Sequence, residues 1–375
     1  MTRSNKSFFK QFLVPGVIII GFLVFGMSSA DAAKKFEGQT LVVGVWSGPW
    51  AESMKKAIGE PFEKLTGAKL AWKVAWDFTP EIMAAPADQP PLDVAETADS
   101  DFIVGVENKL WLPIRYKNVP NYKKIFPHFF NDIALDNKYG VPFNMGVHVL
   151  IYRQDLLKKP VLHWKELLTR DDLKGKIAIE RWFPYWVYVG AYLTDYKPAR
   201  KAIYSQAGRE AILEQMKKLS KRWLLCYEGG AKLVSALNSG EVVVGNYWNG
   251  SSTKVYMEQV KKNKPIKLNL TLPEEGSVSY RDSFSVVRGT KKRDLAEAFI
   301  NYAISTEAQI AFTKMQYAIV ANQEAAPHVP DFLKEKKLQP LKDADWDRFD
   351  AIDARFLEPY RKELEERFMK EVLAK

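Results

Sequence analysis

The chain of 375 residues contains a single cysteine, Cys226. One thiol excludes an internal disulfide and any cysteine-rich metal site. Histidine is almost as scarce. His128, His148, His163 and His328 are widely spaced, with no His-x-x-x-His pair and no Glu set between two of them as a zinc protease requires. His148, between Val147 and Val149, reads as a hydrogen-bonded strand residue rather than a ligand. Also missing are a Gly-x-Ser-x-Gly elbow, a phosphate-cradling glycine loop and a dinucleotide fingerprint. These absences remove the usual signatures of hydrolases, nucleotide enzymes and dehydrogenases, and they leave no cofactor or metal to expect. A glycosidase-type carboxylate pair survives them, because its members need not be near in sequence. Low-complexity tracts and internal repeats are lacking too.

What is present points to export and to two globular units. Arg3, Lys6 and Lys10 precede an uncharged apolar run from Phe12 to Met27, and Ala30-Asp31-Ala32 has the small-x-small pattern of a cleavage site. The run is slightly longer than the usual apolar core of a signal peptide, about 7–15 residues. It is shorter than the roughly 20 residues that span a bilayer, and Pro15 and Gly16 interrupt it. Residues 1–32 are therefore expected to be a cleaved signal peptide, with an uncleaved anchor as the competing reading. Cys226 lies far from the signal, which speaks against a lipid anchor at a cysteine following cleavage and for a periplasmic protein. The formal charge of +10 comes with scattered basic residues, so solvated faces explain it better than nucleic acid. At 47% hydrophobic residues, the rest of the chain can bury two cores.

Leu41–Val45 reads as a first buried strand, and Trp46-Ser47-Gly48-Pro49-Trp50 as the loop leaving it. A helix follows with Met54, Ile58, Phe62 and Leu65 on one face, bent or split by Pro61. A second strand spans 69–74. Such a strand–helix–strand unit gathers ligands at loops after carboxyl ends of strands, where Trp46 and Trp50 stand. Packing against the core remains the other reading for both. Residues 93–98 form another short strand, left through Asp99, Ser100 and Asp101. Acids there serve a cation or cap the following helix. Thr306 and Gln309 have capping-box spacing. The tail places Leu364, Phe368 and Val372 on one face of a charged helix.

The most informative stretch is Gly240 to Asp282. Val242–Val244 runs into Gly245-Asn246-Tyr247-Trp248-Asn249-Gly250-Ser251-Ser252, and Pro273-Glu274-Glu275-Gly276 leads to Ser279-Tyr280-Arg281-Asp282. Ring faces plus one buried carboxylate suit a small amine, through cation–π attraction and a charge-assisted hydrogen bond. Core packing for Trp248 and Tyr280, and a solvated strand end for Asp282, is the alternative. Strand alternation turns Arg281 away from both.

This series resembles the periplasmic spermidine/putrescine-binding proteins of ABC transporters, within the wider extracellular solute-binding family. Tyr139-Gly140-Val141-Pro142, Tyr152-Arg153-Gln154-Asp155, His163-Trp164-Lys165-Glu166-Leu167, Leu173-Lys174-Gly175-Lys176 and Leu295-Ala296-Glu297-Ala298-Phe299-Ile300-Asn301-Tyr302 fall in the family's order across roughly residues 40 to 325. The resemblance implies an α/β, two-lobed type II periplasmic binding protein with a hinge of two crossovers, near Gly140 and Pro273. It places lobe 1 at 33–139 and 275–325, lobe 2 at 140–274, and C-terminal helices at 326–375 on the lobes. It implies no enzyme but a monomer that hands a solute to an inner-membrane permease driven by a cytosolic ATPase. Trp46, Trp50, Trp248, Asn249, Tyr280 and Asp282 become ligand candidates, with Asp99, Ser100, Asp101 and Tyr317 beside them. One loop departs from the polyamine pattern. Where the family carries acids, this chain has Arg181, Trp182 and Tyr185, and an arginine there favours a zwitterionic or anionic compound.

Overall fold

In the computed structural model, residues 35–130, 137–262 and 265–374 are described. The expected signal segment, residues 1–32, lies outside them. Among the described residues no helix is long and apolar enough to cross a membrane.

The strands are β1 (Thr40–Val45), β2 (Lys69–Val74), β3 (Val94–Thr97), β4 (Trp111–Leu112), β5 (Val141–Arg153), β6 (Ile177–Glu180), β7 (Trp223–Tyr227), β8 (Val244–Trp248), β9 (Leu268–Thr271), β10 (Ser277–Val287), β11 (Ile319–Val320) and β12 (Phe349–Ala351). They follow the order β2-β1-β3-β10-β5-β8-β6-β7, with the remaining four alongside β5 or β10. β1, β2 and β3 are parallel, as the alternation of strand and helix dictates, and so are β6, β7 and β8. β10 is antiparallel to β3 and β5, and β5 to β8, so these two strands stitch the two parallel groups together.

β5 is the seam. Its first part, Val141–Val147, pairs with β10, while His148–Arg153 pairs with β8 and β9. The change of partner thus falls at Val147/His148. The return passes through the turn between β9 and β10. Gly276 is needed there, at φ 95° and with a Cβ position only 2.8 Å from the Arg348 carbonyl oxygen.

Helix formation follows the apolar spacing, with two departures. α1 (Pro49–Met54) and α2 (Glu60–Thr66) are joined by a π-helical turn at Lys55–Gly59. Pro61 cannot donate to the helical ladder, and the wider turn before it lets the axis continue instead of breaking. Met54, Ile58 and Phe62 are buried as expected, but Leu65 is exposed. α3 (Asp99–Glu107), α4 (Tyr185–Leu193), α5 (Gln206–Ser220), α6 (Asn249–Lys261) and α7 (Arg293–Ala303) flank the sheet. α8 (Thr306–Gln316) is capped by the Ser305 hydroxyl, which accepts the Ala308 N–H. The expected Thr306–Gln309 capping box does not form, because the Gln309 amide bridges the Phe143 carbonyl and the Ala321 N–H inside the core.

The C-terminal segment crosses both halves. Trp346 packs on Phe126, Phe129 and Phe349, and β12 lies parallel to the start of β10. Further on, α9 (Arg361–Arg367) and a π-helical end carry Phe368, whose ring stacks on Trp186 of α4 at 4.3 Å.

Candidate ligand site at the seam of the sheet

Side chains alternate along a strand, so every second one shares a face. Tyr280 and Asp282 therefore project together from β10, and Asn144, Gly146 and His148 from β5. The register sets Asp282 opposite Asn144, Tyr280 opposite Gly146, and His148 opposite Trp248 of β8. One face of the seam carries, in order, a carboxylate, a phenol, an indole and an imidazole. Trp248 meets Tyr280 edge-on at 4.5 Å between centroids, Tyr185 at 4.5 Å and His148 at 4.0 Å. Gly146 leaves the room: a Cβ there would stand 2.2 Å from Cε1 of Tyr280.

The loop after β1 supplies the opposing wall. Trp46 is buried and its backbone N–H donates to Glu96 Oε2 at 3.2 Å. The Trp50 indole N–H donates to both Glu96 oxygens at 3.0 Å. Glu96 lies opposite Phe284 in the β3–β10 register, and its carboxylate acts on Asp282 across the two strands.

Burial governs the acids of this region. Burial pushes the Glu96 carboxyl up to about 8 despite the opposing pull of the Trp50 and Trp46 hydrogen bonds. Burial raises Asp282 well above the carboxylate range and the Glu96 carboxylate raises it further, while the Trp46 and Asn144 side chains draw it down. Asp282 is 1% exposed, and neither of its oxygens takes a well-formed hydrogen bond from a described residue. Asp99 and Asp101 are each raised to about 7, again chiefly by burial. At the other end of the seam, buried His148 and Glu180 approach at 3.1 Å between Nε2 and Oε2. Asn246 holds both, with its amide nitrogen 3.2 Å from His148 Nδ1 and its oxygen accepting the Glu180 N–H.

Of the residues singled out from sequence, Trp46, Trp50, Tyr185, Trp248, Tyr280, Asp282 and Asp99 converge here. Others take different posts. Asn249 accepts the Val147 N–H and donates to the Tyr317 carbonyl, both at 3.0 Å, so its amide is spent on joining α6, β5 and the end of α8. Tyr317 itself is a left-handed helix cap at φ 55° whose ring joins the hydrophobic core. Asp101 accepts the Ala98 N–H at the start of α3, the capping alternative. Asp99 accepts the Arg281 N–H, and Arg281 reaches back to His128 on the far side of β10. Ser100 lines a separate cavity of about 280 Å³ against Ala354 and Glu358.

The exit loop of β6 corrects one expectation. Arg181 does not supply a free anchor for an anion: its guanidinium pairs with Glu228 at 3.0 Å and contacts Met369 Sδ at 3.5 Å. Trp182 is 50% exposed and has its carbonyl engaged by the Tyr185 N–H.

Sequence reasoning passed over Glu96, Asn144 and Glu180. Their signal was a polar residue inside an otherwise apolar strand, as in Val94-Ala95-Glu96 and Phe143-Asn144-Met145. Such a residue costs free energy unless something meets it. Among the described residues no group of three or more His, Cys, Asp or Glu is arranged to hold a metal ion.

A two-group sheet joined through two antiparallel strands, with a polar and aromatic seam between the groups, is the build of a type II periplasmic solute-binding protein. The chain belongs to the bacterial extracellular solute-binding proteins, whose family profile matches residues 28–340. A gamma-aminobutyric acid-binding protein of Pseudomonas aeruginosa is 24% identical over 92% of this chain and 94% of its own length. The putrescine-binding periplasmic protein PotF of Escherichia coli is 20% identical over 76% of this chain and 80% of its own. The spermidine/putrescine substrate-binding protein PotD of Streptococcus pneumoniae superimposes with a TM-score of 0.73 at 18% identity, covering 89% of this chain and 99% of that one. The names of these relatives describe binding proteins, and this chain is an extracellular solute-binding protein.

Proposed function

We propose that the protein captures a small organic amine in the periplasm and delivers it, as a monomer, to an inner-membrane permease powered by a cytosolic ATPase. The observation that carries the amine is Asp282: a buried carboxylate with no well-formed hydrogen bond, with the Trp46 side chain acting on it, Tyr280 two residues away on β10, and Trp248 edge-on to Tyr280. An ammonium group would satisfy it through charge-assisted hydrogen bonds while the ring faces attract the same cation. Glu96 positions the two tryptophans of the opposing wall. Lobe closure would turn about β5 near Val147/His148 and about the β9–β10 turn. Putrescine is a fitting ligand, its second ammonium facing the Glu180 end of the seam.

A second reading is a zwitterion such as an ω-amino acid, favoured by likeness to the gamma-aminobutyric acid-binding protein along nearly the whole chain. It keeps the ammonium at Asp282 and places the carboxylate toward His148.

A thermal-shift screen against diamines, ω-amino acids, phosphonates and sugars tests the proposal. A ligand at 100 times its Kd should stabilise the protein by about 2.7 kcal/mol. Stabilisation by amines, lost in Asp282→Ala, is the expected result; stabilisation by anions alone would overturn the amine assignment.

A further inference from the structure

Glu96 of β3 acts on Asp282 of the neighbouring strand β10, yet the two acids are provided for unequally. Glu96 receives the Trp50 indole N–H on both oxygens and the Trp46 backbone N–H on one. Asp282 has neither oxygen well bonded. Both are buried, at 0% and 1% exposure. Asn144, directly opposite Asp282 and also 1% exposed, has neither end of its amide in a well-formed hydrogen bond. A buried polar side chain without such a bond is costly, and two anions at this depth repel strongly.

Among the described residues, the groups that act most strongly on the pair include neutral donors from Trp46, Trp50 and Asn144 but no cation. Asp101 acts on Asp282 with the same sign, and Asp99 of α3 and Tyr280 of β10 are further titratable neighbours. Arg281 projects from the opposite face of β10, where it reaches His128 and lies over the Phe129 ring. On the lobe across the seam, the acid is Glu180, held against His148.

We propose that the empty site holds one proton on the Glu96–Asp282 pair, and that the primary ammonium of the ligand displaces it, with the Asn144 amide oxygen as an additional acceptor. Capture is thus an exchange of one cation for another, and the site selects an ammonium that carries N–H groups over a quaternary one. This inference rests on the amine reading. The elevation of both carboxyls by burial is consistent with it.

Isothermal titration calorimetry of putrescine and of 4-aminobutyrate into the full mature chain, in phosphate and in Tris at pH 7, reads the exchange directly. The observed enthalpy should differ between the buffers by an amount corresponding to about one proton released per ligand, and the affinity should rise about tenfold per pH unit until it levels near pH 8. Tetramethylammonium should bind far more weakly. In Glu96→Gln, whose fold is checked by circular dichroism, Asp282 stays buried but loses the repulsion of its neighbour, so the protons released per ligand bound at pH 7 should fall and the pH at which the affinity levels should drop. Saturable amine binding with the same enthalpy in both buffers would overturn the exchange and leave the amine reading standing. No heat with any amine would overturn both.

Discussion

The indole N–H of Trp50 donates to both oxygens of Glu96, joining the loop after β1 to the middle of β3 inside the site. A tryptophan at this place does more than offer a ring face: its N–H fixes an acid, and the acid in turn receives the Trp46 backbone N–H.

Replacing Trp50 by Phe keeps the ring and removes the donor. Loss of a hydrogen bond to a buried carboxyl should lower stability by about 1–3 kcal/mol. Ligand affinity should fall as well, because Trp46 loses its support. Urea unfolding and a binding titration measure the two effects. Unchanged stability in Trp50→Phe would show that the bond contributes nothing in solution.

The ligand-free protein should lose stability between about pH 6.5 and 8.5. Glu96 rises from 4.5 to about 8, and Asp99 and Asp101 from 3.8 to about 7, so the folded chain keeps protons that the unfolded chain has released. Stabilisation from such groups is complete below the unfolded values and disappears as pH rises through the folded ones. His128, lowered from 6.5 to about 4 by burial and by Arg281, works in the opposite sense, removing stability as pH falls from 6.5 toward 4. Above pH 6.5 the raised acids act alone of these. Calorimetry should show a Tm that declines across that window without ligand; a rising Tm would contradict the arrangement of the acids.

Gly146→Ala should move the aromatic wall. The new methyl meets the Tyr280 ring, which is itself set edge-on against Trp248. Overpacking of this kind costs about 1–3 kcal/mol. Binding should suffer more than the melting temperature indicates, since the displaced ring faces the proposed ligand. Thermal melts with and without putrescine separate the two losses.

At the C-terminal segment, packing should outweigh charge. Phe368, 3% exposed and stacked on Trp186, should cost about 3–5 kcal/mol when changed to Ala. Arg367 pairs with Glu210 and Glu371 on a partly exposed surface, and Arg367→Ala should cost about 0–1 kcal/mol. Chemical denaturation of both variants decides; equal losses would mean the ion pairs hold the segment.

The strands β1, β2 and β3 were legible in sequence to within a residue or so, because strand and helix patterns alternate there between turn signals. Tyr280, Asp282 and Trp248 were legible as a group because strand alternation and the resemblance agreed. Glu96, Asn144 and Glu180 were not, since a polar residue in a buried strand reads as a defect until its neighbours are known, and those neighbours come from distant segments. Arg181 misled for the same reason: its partner Glu228 leaves β7, a strand whose place beside β6 local sequence does not specify. That Val141–Arg153 forms one strand was not legible, because its two parts belong to different neighbours and only the register shows them as one.

The account stands or falls on whether Asp282 grips an ammonium. Tryptophan fluorescence of the wild type and of Asp282→Asn, titrated with putrescine, 4-aminobutyrate and glutarate, tests this most directly. The expected result is a saturable change with a compound that carries an ammonium, abolished by a substitution that removes one charge and no volume. Saturation by glutarate alone, or undiminished amine binding in Asp282→Asn, would contradict it.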